Sequence, residues 1–211
     1  SVDLGGGLTI KDARDLRHEL DGLLKYNPNH FSVYILKARK NYKHLSILPE
    51  DEVIRAEYLF VSEYLQSLGY DHYEVSNFSR DKFQSRHNKK YWNYESVAAL
   101  GPNATGLLVK EDQAIRYQWK SVSLGVSEEL LENDSLIIER LFLGLRHKNN
   151  FSFLHLFKTK SQKEAIENLL TKWKGSDLIE QNSYYESVNL TPKGFLMCDS
   201  LLDDIFKVVK F

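Results

Sequence analysis

The segment Arg86-His87-Asn88-Lys89-Lys90-Tyr91-Trp92 concentrates most of the side chains in this chain that could do chemistry together. A neutral imidazole offers one ring nitrogen to a metal centre while the other donates to a carboxylate or carbonyl that fixes its orientation. Tyr91 and Trp92 offer flat apolar surface, and Arg86, Lys89 and Lys90 offer charge-assisted hydrogen bonds to carboxylates. Glu74, in the run Tyr73-Glu74-Val75-Ser76-Asn77-Phe78, is the candidate carboxylate to orient His87. The competing reading is structural: a histidine packed among aromatics, and basic residues solvated in a polar loop.

Other chemistries find less support. Cys198 is the only cysteine, which excludes an internal disulfide framework and any four-cysteine zinc or iron-sulfur site made by this chain alone. His18, His30, His44, His72, His147 and His155 show no HxxxH or HExxH spacing and are assigned structural or surface roles. Gly5-Gly6-Gly7 lacks the spacing of a phosphate loop. Lys plus Arg number 28 against 29 Asp plus Glu, so a net charge of −1 gives no global attraction for nucleic acid. No stretch approaches the roughly 18 apolar residues of a membrane span, and the N-terminus has no signal-peptide pattern, so a cytoplasmic location is expected. The chain opens without Met on a strand entered midway, as a piece of a longer protein would.

The elements that must position these residues read as α/β. Val2 to Leu4 predicts a strand and Gly5-Gly6-Gly7 a turn. Lys11 to Lys25 predicts a helix with Ala13, Leu16, Leu20, Leu23 and Leu24 on one face, and Phe31 to Leu36 a second strand. A strand-helix-strand unit implies parallel pairing, with further strands upstream. Lys37 to Leu48 reads as a surface connection. Pro49 starts a helix to about Leu68, with acid in its first turn and Gly69 as its stop. Tyr70 to Phe78 predicts a strand, and Thr105 to Val109 and Ile115 to Trp119 complete a small antiparallel sheet. From Ser127 the pattern turns helical: a helix around Leu136 to Leu145, a short one over Phe151 to Phe157, and a third over Ser161 to Trp173. A hairpin arm over Tyr184 to Leu190 and a last helix, Phe195 to Phe206, follow. Three helices and then a strand pair is a winged-helix-like order. The expected domains are 1–48, 49–126 and 127–211.

His87-Asn88-x-x-Tyr91-Trp92, preceded by Tyr73 to Phe78 and followed by Leu100-Gly101-Pro102-Asn103-Ala104, resembles the heme-chaperone branch of the radical-SAM coproporphyrinogen oxidases. Val2-Asp3-Leu4 with Gly7-Leu8, Phe31 to Tyr34, Glu139 to Arg146 and Leu190 to Gly194 resemble further parts of that family, in the same order along the chain. The resemblance implies that residues 1–48 are the tail end of a partial TIM-like (βα)₆ barrel. A small αβ domain carrying the motif and a winged-helix-like domain follow. It also implies a [4Fe-4S] cluster on a CxxxCxxC loop, with S-adenosylmethionine on its open iron. This chain has no such loop and is not expected to do radical chemistry by itself.

Within the resemblance, Asp3 falls where a carboxylate approaches S-adenosylmethionine, although a strand-end Asp also caps turns. Gly5, Gly6 and Thr9 depart from the family pattern around it, and Thr105 stands where a His is common. His87 becomes the candidate heme-iron ligand, with Arg86, Asn88, Tyr91 and Trp92 around the macrocycle and Glu74 behind the imidazole. Heme binding and delivery is the leading function, with heme or porphyrin and a heme-accepting protein as partners and dimer formation left open. The alternatives are oxidative decarboxylation of coproporphyrinogen III by the parent enzyme, or a winged-helix interaction module without cofactor.

Overall fold

The structure, a computed structural model, describes residues 1–6, 15–35, 43, 48–121 and 125–209. The chain forms two compact units, Ser1–Gln84 and Ser85–Phe211.

In the first unit, β1 (Val2–Gly6) and β2 (His30–Ile35) pair in parallel, and α1 (Leu16–Leu24) lies between them in sequence. Gly7 of the expected turn, residues 11–14 of the expected helix, Leu36 of the expected strand, and 37–42 and 44–47 of the expected connection lie outside the described residues. Asp15 caps α1 by accepting a hydrogen bond from the His18 amide at 2.9 Å. α2 (Asp51–Ser67) carries Asp51 and Glu52 at the positive end of its dipole and buries Tyr58, Val61, Ser62 and Leu65 along one face. Gly69 follows it at φ +82°, a conformation natural to glycine.

The single strand expected over Tyr70 to Phe78 is two, β3 (Asp71–Glu74) and β4 (Asn77–Ser79), paired antiparallel. Glu74 makes the reversal: its Oε1 accepts hydrogen bonds from the Ser76 amide at 3.1 Å and from Asn77 Nδ2. Nor do these strands join the later antiparallel pair. β4 pairs with β2, giving a four-stranded sheet of order β1-β2-β4-β3. One face packs Leu4, Phe31, Val33 and Phe78 with Leu16 and Leu20 of α1 and Val61 and Leu65 of α2. His72 shares that face, stacked on Phe78 at 4.0 Å and hydrogen-bonded to Ser62 at 2.8 Å and Tyr58 at 3.2 Å.

In the second unit, α3 (Arg86–Trp92) precedes an antiparallel sheet of β5 (Thr105–Val109), β6 (Gln113–Ser121) and β7 (Gly125–Glu132). Then come α4 (Asn133–Gly144), α5 (Lys160–Gly175), α6 (Pro192–Leu196) and α7 (Cys198–Val208). The segment from Ser127, which reads as helical, belongs to β7. It pairs with β6 from Gln113↔Glu132 to Trp119↔Val126, and Leu131 joins Leu107, Ala114 and Leu143 in a core. Tertiary pairing overrides the local helix preference of Ser-Glu-Glu-Leu-Leu-Glu.

Phe151 to Phe157 forms no helix. The Phe151 amide donates to the Val188 carbonyl at 3.1 Å and Phe153 to Tyr185 at 3.0 Å, so backbone groups a helix would need are spent on the segment opposite. The last expected helix is divided at Met197 into α6, capped by Thr191 with Pro192 at its first position, and α7. Cys198, Phe195, Leu201, Leu202 and Ile205 are buried as expected. Among the described residues no helix is long and apolar enough to cross a membrane.

Candidate functional site

The motif expected in a polar loop stands on a helix. Ser85 caps α3 with its Oγ accepting from the Asn88 amide at 3.2 Å, and Lys89 and Lys90 sit in the last turn, where helix carbonyls favour cations. Spacing of four places His87 and Tyr91 on one face, their rings edge-on with centroids 5.1 Å apart. His87 is exposed and makes no hydrogen bond among the described residues. Tyr91 Oη donates to the Thr105 carbonyl at 3.1 Å, tying the helix to the start of β5. Burial, with Tyr117 nearby, pushes its phenol above the usual range and keeps it protonated. Trp92 points the other way and packs against the Leu107, Ala114, Leu131 and Leu143 core, so it anchors the helix while Tyr91 offers its ring. Arg86 is exposed and Asn88 half-buried.

The two carboxylates expected at the site belong to the first unit. Cross-strand register puts Asp3, Ser32, Asn77 and Glu74 in one row across all four strands, on the sheet face opposite the helices. Asp3 is exposed at one end; Glu74 is buried at the other, engaged by Ser76 and Asn77. In the neighbouring row His30 bonds Tyr73 Oη at 2.9 Å, and burial lowers its pKa against the pull of Asp3. Four cysteine ligands for an iron-sulfur cluster do not exist here: the one thiol, Cys198, is buried on α7. Among the described residues no group of three or more His, Cys, Asp or Glu can hold a metal ion.

A second constellation escaped the sequence reading. Trp92, Asn93, Tyr94, Arg140, His147 and the stretch 149–152 line a cleft of about 240 Å³. Asn93 Oδ1 braces it, accepting from His147 Nε2 at 3.0 Å and Asn149 Nδ2 at 2.6 Å. His147, taken as structural or surface, is 4% exposed. Burial first, and Lys89 second, push its pKa down to about 4, the Gly144 carbonyl opposing them, so it is neutral at pH 7. Its Nδ1 makes no hydrogen bond of good geometry. The Phe151 ring closes one wall where a Cβ on residue 144 would stand, which requires Gly144.

No family model matches the chain. It is 28% identical to the heme chaperone HemW of Lactococcus lactis over 97% of this chain and 59% of that protein. To a putative heme chaperone HemW-like protein of Buchnera aphidicola it is 27% identical over 96% of this chain and 57% of the relative. A third relative, radical S-adenosyl methionine domain-containing protein 1, mitochondrial, of Danio rerio, is 31% identical over 52% of this chain and 26% of its own length. Among solved structures, coproporphyrinogen III oxidase (HemN) from Escherichia coli, a radical SAM enzyme, shares the fold with a TM-score of 0.67. Its sequence identity is 14%, over 96% of this chain and 54% of that one. The chain thus spans just over half the length of the relatives it matches most fully. The chain is thus similar to the C-terminal part of HemN/HemW-like radical-SAM proteins, in sequence to the heme chaperones and in fold to the oxidase.

Proposed function

We propose that this chain is the tetrapyrrole-binding part of a heme chaperone, with α3 as the heme-binding helix and His87 as the axial ligand. The observation that carries this reading is the state of His87: an exposed imidazole on a capped helix, edge-on to Tyr91, with no hydrogen bond among the described residues. An imidazole so placed suits heme iron. The names of the relatives with the fullest coverage support the ligand class. In this reading Tyr91 lends its ring to the macrocycle, Arg86 and Lys90 pair with the propionates and Asn88 completes the contacts, while Glu74, buried in the first unit against Ser76 and Asn77, keeps its turn-forming role. Asp3 would serve S-adenosylmethionine in a protein that also holds the cluster, and a heme-accepting protein in the cytoplasm would receive the cargo.

The helical segment fits a winged-helix-like arrangement. It is supported by α4, α5 and the α6–α7 pair, together with the bridges Ile179↔Leu190 and Tyr184↔Ser187. A fold of this kind does not by itself assign DNA binding.

Titration of the chain with hemin, followed at the Soret band, tests the assignment. His87→Ala is expected to weaken binding by at least about 10-fold, the lower range reached when even an outer-shell partner of a metal ligand is lost, and to change the band position. Unchanged affinity and spectrum in that variant would reject His87 as the ligand.

A further inference from the structure

The cleft at the C-terminal end of α3 lies off the His87 face and has its own chemistry. Its polar inventory is one-sided. Arg140 stands 5.5 Å from the centroid of the Tyr94 ring and makes no ion pair or hydrogen bond among the described residues. No Asp or Glu lines the cleft. Of the carboxylates around it, Glu139 is committed to Arg116 at 2.7 Å and Glu95 accepts from Asn93 Nδ2 at 3.3 Å. His147 is neutral, and the effect of Lys89 on it adds positive potential to the same wall. The unanswered guanidinium therefore calls for an anion.

Tyr94 adds a second, independent sign. It occupies the first position past the Asn93 C-cap at φ +58°, where helices ordinarily place Gly or Asn. A bulky aromatic residue in that region is an outlier, and such strain persists where the surrounding structure demands the side chain. The demand is not a hydrogen bond within the fold, because Tyr94 Oη is buried without a partner. Burial also holds the phenol above its usual pKa, so it remains a proton donor at neutral pH.

We infer that this cleft binds a carboxylate group, taken by the Arg140 guanidinium and the Tyr94 hydroxyl between the aromatic walls of Trp92, Tyr94 and Phe151. The planar fork of arginine matches two carboxylate oxygens, and the phenol adds a single directed donor. At about 240 Å³ the cleft is below the roughly 300–1,000 Å³ of drug-sized pockets, so it holds a small acid or one arm of a larger one. Asn93, His147 and Asn149 act as positioning residues: their mutual hydrogen bonds hold α3, the end of α4 and the 149–152 stretch at fixed spacing. This site does not depend on His87 ligating heme.

The test is a nuclear magnetic resonance titration of the chain with benzoate, acetate and inorganic phosphate, read at the side-chain amides of Asn93 and Asn149. Benzoate is expected to give saturable shifts at both, and phosphate to bind more weakly. Arg140→Gln, at an exposed position, should weaken benzoate by about 10-fold or more, and Tyr94→Phe by about 3- to 10-fold, while the melting curves stay unchanged. His87→Ala should leave benzoate binding as it is. No saturable shift, equal affinity in Arg140→Gln, or phosphate binding as tightly as benzoate would each overturn the assignment. Displacement of benzoate by hemin would identify the carboxylate as a tetrapyrrole arm; joint binding would identify a separate acid. Either result supports the cleft.

Discussion

Replacing Trp173 with alanine is expected to lower stability by about 3–5 kcal/mol, the range for removing a large aromatic from a packed core. Trp173 is 1% exposed and ends the buried stripe Ile166, Leu169, Leu170 on α5. The spacing of three, four and seven puts all four on the side that packs against α7. Its Nε1 also donates to Asp204 Oδ2 at 3.4 Å, an oxygen shared with Lys172 at 3.1 Å. Against a total stability of about 5–15 kcal/mol, this one change removes a large share. Urea unfolding followed by far-ultraviolet circular dichroism measures it. Lys172→Ala is the control, since its exposed ion pair contributes about 0.2–1 kcal/mol. If the two variants lost equal stability, the α5–α7 face would not be close-packed.

The second large effect comes from Arg116, whose guanidinium reaches Glu139 at 2.7 Å and Glu129 at 2.8 Å. The Glu139 side chain is 12% exposed and that of Arg116 37%, so solvent weakens the pair from one side only. Burial, the largest influence, holds the Glu139 carboxyl above the usual carboxylate range, with Arg116 pulling it back. Arg116→Met removes that opposing pull and leaves a buried carboxylate without its partner. The expected cost at neutral pH is about 1–3 kcal/mol, below the 3–5 of a fully buried pair because the arginine is partly solvated.

The pH dependence distinguishes this mechanism from lost packing. An unfolded glutamate gives up its proton near pH 4.5, whereas folded Glu139 keeps it to higher pH. Between those values the folded state binds more protons, so its stability falls as pH rises. The variant raises the folded pKa further and steepens the fall. Its deficit should therefore be small at about pH 4 and grow toward about pH 8. A deficit independent of pH would mean that Arg116 acts only through its aliphatic stem.

How far the sequence could be read follows from where each element draws its stability. The β1–α1–β2 unit was legible because Leu16 and Leu20 lie at helical spacing and Phe31 and Val33 alternate as a strand; both sets are buried. α2 was legible from its acidic start and Gly69. β7 was not, because Ser127 to Glu132 favours a helix locally and becomes a strand only through β6. The reversal between β3 and β4 has no glycine or proline to announce it and rests on the carboxylate of Glu74. α3 hid for a third reason. Its residues Arg86 to Lys90 carry no apolar period, and the helix is held from outside by the Ser85 cap, the Tyr91 hydroxyl and the buried edge of Trp92. The motif residues stood together in the sequence. The cleft did not, since its brace joins Asn93 to His147 across 54 positions.

Arg86, Lys89 and Lys90 give α3 three cations and no acid within seven residues. A short helix charged in this way acts before contact as well as after it. On the proposed reading it would draw an anionic ligand down a potential gradient, so that the rate of capture depends on ionic strength more steeply than the rate of escape, which also rests on uncharged short-range contacts. Added salt should slow loading more than it hastens release, because the exposed ion pairs are screened and the ring contacts are not. A carrier built on such a helix would take up its cargo fastest in dilute electrolyte.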